Sequence, residues 1–446
     1  MKSSVANSYL RWVERYLPSP FIIALLLSAL TFLLAVFITG PEHSILKNSV
    51  LIVSYWQKGF WELLAFTMQM VLILLLGYTL ALTPLCHKLI NKLADGSQNT
   101  AQAAFIVSLA TISISFFNWG LCIIFGAILS KKIADRFTAK GKAVNFGLIA
   151  ASGYSGMMAW HGGLSGSAPL KVAEETHFLV DKMGTLAISQ TIFSSMNIIV
   201  SISLLIIIPG VCYLLGKKYP GSHQKTELKV IRKNTTSIID GVEGKPWLSK
   251  LLGLLLLGSA VTYGFFQSHE GKNIIDLNFI NFLLLTLSIG LHQHLTAFFG
   301  AVKEGIQGVS DVIIQFPFYA GIMGMMKYSG LVIIFSELFV QNSTTASFPI
   351  FTFISGAIVN FFVPSGGAQW AVQGPIVIEA AIKLGVSPAK TVMALAYGDQ
   401  ITNMLQPFWA LPLLGITGLK AKDILPYTSI LFLIGSLLFL GALLLL

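Results

Sequence analysis

The chain has 446 residues and a formal net charge of +10, yet only 11% of its residues are charged and 54% are hydrophobic, with a mean hydropathy of +0.76. A soluble protein carries about 25% charged residues, so a soluble domain with one anchor is excluded. The continuously apolar runs also exclude a β-barrel, whose strands alternate apolar and polar residues over about ten positions. The surplus of Lys and Arg reads as cytoplasmic loops that fix orientation, with no nucleic-acid partner.

Residues 1–19 are polar and basic, with Lys2, Arg11 and Arg15. Residues 21–39 form a first span, retained and not cleaved, because the run ends in Gly40-Pro41 and not in small residues. Residues 61–82 form a second span, preceded by Trp56 and Trp61, which suit a headgroup belt. Residues 101–130 are uncharged, too long for one span of about 20 residues and too short for two. Ser113, Ser115, Asn118, Trp119 and Gly120 interrupt them, so a re-entrant hairpin is expected. Residues 143–170 read as a span broken by SGYSGMMAWHGGLSGSAP, and residues 186–215 as a further span.

Residues 216–250 form a basic, polar, cytoplasmic linker. Spans follow at 251–267, 274–291 and 309–326. Residues 348–378 repeat the hairpin proportions, with NFFVPSGGAQWAVQGP at the centre. Residues 391–416 are a second broken span, interrupted over 398–407, and 424–446 are the last span. The expected fold is an all-α polytopic membrane protein with about nine full spans and two re-entrant hairpins.

Charge supports the hairpins. With the N-terminus in the cytoplasm and both hairpins returning to their side of entry, roughly 21 of the 29 Lys and Arg face the cytoplasm. Phe116-Phe117 and Phe361-Phe362, and likewise Gly153 and Gly398, recur at a spacing of about 245 residues, and Gln69 and Gln315 nearly so. Residues 1–215 and 251–446 are thus expected to be two inverted repeats, a plan used by secondary transporters.

Broken helices at membrane depth expose N–H groups that suit an anion. The expected substrate contacts are Asn118 and Gly120 at the first tip and Ser365, Gly366, Gly367 and Gln369 at the second. Ser165 and Asn403 join them from the broken spans. Asp399 is the only acid between 391 and 420; a charge at mid-bilayer costs about 2.5–3.5 kcal/mol. With His161 it is the expected site of coupling to H⁺ first and Na⁺ second. Trp160, Trp370 and Trp409 are expected to pack, with an apolar pocket for a short acyl chain as the second role. Glu62, Asp311 and Lys327 sit near span ends and receive no role. Cys86, Cys122 and Cys212 stand singly, so no disulfide framework, metal site or cofactor is expected. No Walker loop or nucleophile elbow is present, which speaks against an enzyme. No Arg or Lys falls deep in a span, which favours monocarboxylates over dicarboxylates or other organic anions.

The blocks FWELLAFTMQM (60–70), FFNWG (116–120), GGLSGSAPL (162–170), QFPFYAGI (315–322), NFFVPSGG (360–367), QGP (373–375) and AYGDQ…NMLQPFWALP (396–412) resemble the short-chain fatty acid transporters of the AtoE type. The likeness runs from the first span to the last and omits the linker. It implies uptake of butyrate- or acetoacetate-like acids across a bacterial inner membrane, and a fold with inverted repeats and hairpins. A homodimer is left open.

Overall fold

The computed structural model describes residues 20–39, 44–221, 245–270, 274–360, 363 and 365–446. The expectations for residues 1–19, Gly40-Pro41, linker residues 222–244, and Phe361, Phe362 and Pro364 lie outside the described residues. Those described form helices and no strand. Helices α1 (Pro20–Ile38), α2 (Ile45–Glu62), α3 (Leu64–Ala81) and α4 (Pro84–Asp95) lead into the pair α5 (Thr100–Ser115) and α6 (Trp119–Ala139). Next come α7 (Phe146–Tyr154), two 3₁₀ turns, α8 (Ser167–Lys171), α9 (Val180–Met183) and α10 (Ser195–Lys218). The second half holds α11 (Pro246–His269), α12 (Leu277–Leu291), α13 (Leu295–Gly305), α14 (Ser310–Ser329) and α15 (Leu331–Asn342). The pair α16 (Phe348–Asn360) and α17 (Gly366–Leu384) follows, then α18 (Pro388–Thr402), α19 (Pro407–Thr417) and α20 (Ala421–Leu445).

Helices α3, α10, α11 and α20 are each long and apolar enough to cross a bilayer. Helix α11 leaves Leu254, Leu255, Phe265 and Phe266 exposed. An apolar outer face of this kind belongs in lipid, and the chain is a helical membrane protein. By length and composition, four described helices qualify as spans, or five if the bent pair α14–α15 counts as one. Nine were expected. The shortfall has a visible cause: α1, α5, α12 and α16 are apolar but shorter, and other runs are divided by breaks. Helices α14 and α15 meet at 85°, and Gly330 at the joint has φ +85°, a left-handed conformation suited to glycine.

Both expected hairpins appear as packed helix pairs. The first turns over 116–118, where the Asn118 side chain accepts from the Leu121 N–H and caps α6. In the second, α16 ends at Asn360 and Ser365 is the N-cap of α17. The first broken span also appears, interrupted between Tyr154 and Ser167. Its break folds onto the first tip: the Leu164 N–H donates to the Phe116 carbonyl at 2.6 Å, and a Cβ on Gly163 would lie 2.5 Å from that oxygen.

Two expectations need correction. The second broken span is not interrupted from Gly398; α18 continues to Thr402 and the break occupies 403–406. Gly398 serves close packing, since a Cβ there would lie 2.1 Å from the Phe353 carbonyl of α16. Trp56 is not a belt residue. It lies on α2, a helix the sequence reading missed, against Gly321 of α14, where a Cβ would meet its indole at 2.4 Å. Gly59 and Gly324 bring the same two helices together, so small residues on both sides set this contact. Trp61 is exposed, as a belt residue would be.

Candidate functional site

The tips and the breaks converge. A cavity of about 20 Å³ is lined by Trp119, first residue of α6, and by Ser365 and Gly366 at the start of α17. Met157 and Trp160 come from the first break, Trp409 from α19, Met70 from α3, Ser167 from α8 and Phe316 from α14. This volume holds about one water molecule.

Behind this cavity lies a buried polar pair. His161 Nδ1 stands 2.7 Å from Asp399 Oδ2, and both residues are buried. The Ala168 N–H donates to His161 Nε2 at 3.2 Å, which makes Nε2 the bare nitrogen of a neutral ring. Nδ1 then carries the hydrogen and donates it to Asp399. The ring is held further by stacking on Trp160, with centroids 4.4 Å apart at 10°, and the His161 N–H donates to the Gln400 side chain. Asp399 Oδ1 is buried with no hydrogen-bonding partner among the described residues. Gly366 touches this pair: a Cβ there would lie 2.6 Å from His161 Cε1 and 3.0 Å from Asp399 Oδ2. Only glycine allows that approach, and it sets the partly positive N-terminus of α17 beside the acid.

The remaining expected residues divide. Asn403 ties the breaks together, accepting from Asn360 through Oδ1 and from the Tyr154 hydroxyl through its carbonyl. Gly367 packs on Met70, Phe316 and Phe66. Gln369 faces away from the cavity; its amide donates to the Gly356 carbonyl and to Gln373, bracing the second hairpin. Gly120 lines a separate chamber. Asn118 and Ser165 are occupied in capping: Asn118 holds the Leu121 N–H and donates to the Ile73 carbonyl, and Ser165 Oγ accepts from the Trp119 N–H at 3.0 Å. Trp370 is fully buried in another cluster, near Phe178.

The cavity is one of three stations along α3. Phe66, Met70, Leu74 and Tyr78 recur every four residues and share one helix face. Met70 lines the small cavity, and Leu74 and Tyr78 line a chamber of about 260 Å³ with Gly120, Ile123, Gly305 and Pro412. Trp119 and Trp409 belong to both and stand edge to face, centroids 5.1 Å apart.

At the other end, the Phe66 ring lies under Lys171 Nζ, 5.1 Å from the ring centroid. Lys171, one residue past the span expected over 143–170, is among the described residues the only buried Lys or Arg. Its ammonium meets Glu174 Oε2 at 2.5 Å, and the Gln69 amide donates to Glu174 Oε1 and to Asn278, each at 2.9 Å. The signal was present as Lys-Val-Ala-Glu at the end of the small-residue stretch, just past the last residue assigned to the span. Lys327 pairs with Glu62 at the surface, and the cysteines are free. No cluster of three His, Cys, Asp or Glu that could hold a metal ion occurs among the described residues.

The short chain fatty acid transporter family matches residues 1–446. The chain belongs to that family. A relative in Escherichia coli (strain K12) bearing the name of a short-chain fatty acid transporter is 34% identical over 453 positions, covering 98% of this chain and 100% of the relative. A relative of the same name in Haemophilus influenzae is 35% identical, covering 97% of each. The family is one of transporters, not enzymes. Solved structures share the fold. The YdaH transporter of Alcanivorax borkumensis superposes with a TM-score of 0.63 at 16% identity, over 96% of this chain and 97% of that one. The Neisseria gonorrhoeae MtrF protein, described among antimetabolite efflux pumps, gives 0.61 at 14% identity, over 98% and 97%.

Proposed function

We propose that this chain takes up short monocarboxylates such as butyrate and acetoacetate by symport with a cation, H⁺ before Na⁺. The reading places it in a bacterial inner membrane, N-terminus in the cytoplasm, with about nine spans and two hairpins in two inverted halves. A homodimer belongs to the same expectation. The observation that carries it is Asp399 against the N-terminus of α17, hydrogen-bonded to His161 on one oxygen and unpartnered on the other. Asp399 supplies the negative charge that this helix end favours. Once protonated it gives up that role, and a substrate carboxylate takes the helix end, its acyl chain among Trp119, Trp160 and Trp409. An anion entering against 100 mV costs about 2.3 kcal/mol, and one proton per anion removes that cost.

On this orientation α3 runs inward toward α4, whose Lys88 and Lys92 mark the cytoplasmic side. The 260 Å³ chamber is then a cytoplasmic vestibule behind the Trp119–Trp409 pair, and Lys171 lies on the outer side. The test is butyrate uptake into proteoliposomes under separately imposed pH and Na⁺ gradients. An inward proton gradient should drive accumulation; uptake indifferent to both gradients would sink the coupling. Lys171 favours a second reading, transport of dicarboxylates, because it supplies the buried cation a second carboxylate would need. Strong competition by succinate against labelled butyrate would favour that reading.

A further inference from the structure

We infer that Lys171 is a carboxylate-binding residue on the outer approach to the hairpin tips, where an incoming short-chain acid replaces Glu174 as its counter-ion. This rests on the monocarboxylate reading above. Lys171 and Glu174 are both buried, and burying an ion pair costs several kcal/mol per ion before the pair recovers any of it; apolar residues of similar size often do as well or better. Packing alone therefore gives little reason for the pair.

Its location gives one. Lys171 lies four residues after Ser167 on α8, so the two share a face, and Ser167 lines the tip cavity. Phe66 separates the ammonium from the second tip: one side of it lies under Lys171, and its Cζ lies 3.1 Å from where a Cβ of Gly367 would be. One aromatic side chain thus divides this pair from the N-terminus of α17.

The chemistry of the pair names the ligand. The Glu174 side chain is two methylenes ending in a carboxylate, a tethered short-chain acid. Its Oε2 takes Lys171 and its Oε1 takes the Gln69 amide. A free propionate or butyrate offers the same two oxygens at the same charge. Gln69 also donates to Asn278 and accepts from Lys171 at 3.4 Å, so it is hydrogen-bonded on both sides of its amide and can serve either carboxylate.

The test compares wild type, Glu174→Gln and the double variant Lys171→Met/Glu174→Gln for labelled butyrate uptake in proteoliposomes. Melting of each purified protein with and without butyrate is the second readout. Removing Glu174 alone removes the competitor, so KM for butyrate should fall severalfold and stabilisation by butyrate should grow. Removing both charges should raise KM about tenfold or more, equivalent to about 1.4 kcal/mol, and abolish that stabilisation, with the butyrate-free melting temperature kept. A double variant with wild-type KM would overturn the inference, as would a Glu174→Gln variant whose KM is unchanged or raised. If the double variant is not recovered folded, Glu174→Gln decides alone by the same criterion. Wild type that takes up no butyrate would overturn the monocarboxylate reading and this inference with it; active wild type with indistinguishable variants would overturn only the inference.

Discussion

The two hairpin tips meet and end differently. Both bring the first residue of a helix, Trp119 or Gly366, to the same cavity. At the first tip the protein's own oxygens complete the helix end: Ser165 takes the Trp119 N–H and Asn118 takes that of Leu121. At the second, Ser365 is the N-cap but its side chain makes no capping bond. The carboxyl beside that end comes from Asp399, on a different helix. A cap from the same turn or the adjoining break is a fixture, whereas an acid brought from another element can change protonation or position and leave the helix intact. The first tip is thus completed by oxygens of its own turn and the adjoining break, and the second by a carboxyl from another helix; on the proposed function the second is the one that exchanges a charge.

The largest effect that could break this contrast is Asp399→Asn. The amide oxygen can still accept from His161 Nδ1, so the fold should survive, but the exchangeable charge is gone. Accumulation of butyrate against a gradient should fall about a hundredfold or more, a loss of about 2.7 kcal/mol in driving or transition-state terms. Proteoliposome uptake measures it, and retained accumulation would reassign Asp399 to packing. A smaller effect sharpens the same contrast at the glycines. In Gly366→Ala the new methyl falls 2.6 Å from His161 and 2.8 Å from Trp160. Overpacking of this kind costs about 1–3 kcal/mol and should depress uptake by pushing α17 off Asp399. In Gly120→Ala the nearest atom is the Leu74 carbonyl at 3.1 Å, a contact a slight shift relieves. Uptake by Gly120→Ala should stay within about threefold of wild type, under 0.7 kcal/mol. Equal losses at both glycines would erase the distinction between the tips.

Much of this was legible in the sequence, for a reason particular to membranes. An uncharged run too long for one span and too short for two has few solutions, and a turn near its centre is among them. The helix pairs and the first break fall where those runs and their small polar residues put them, and Asp399 and His161, singled out as titratable groups in the broken spans, are in contact. Composition could not say which polar groups were already engaged. Asn118 and Ser165 read as ligand contacts because both are small and polar at a break, and only coordinates show their hydrogen bonds directed to α6. The partner of Gln369, the Gly356 carbonyl 13 residues back on the facing helix, is equally invisible to composition. Lys171 was missed because hydropathy windows end a span at the first charge, so a lysine folded inward looks like a loop residue.

The smallest effect on transport should come from Asn118→Ala, which should damage stability instead. The substitution leaves the buried Leu121 N–H without its cap and removes a second donor from the Ile73 carbonyl, which keeps its place in the ladder of α3. Loss of an N-cap costs about 1 kcal/mol, and a buried polar group left unpaired costs about 1–3 kcal/mol. The purified variant should therefore melt several degrees below wild type. KM for butyrate should not move, because on this account the substrate meets the second tip and never Asn118. Melting in detergent and uptake kinetics in liposomes read the two quantities separately. A variant with wild-type melting and a raised KM would show that the first tip also receives the carboxylate, and the asymmetry between the tips would then be one of capping geometry alone.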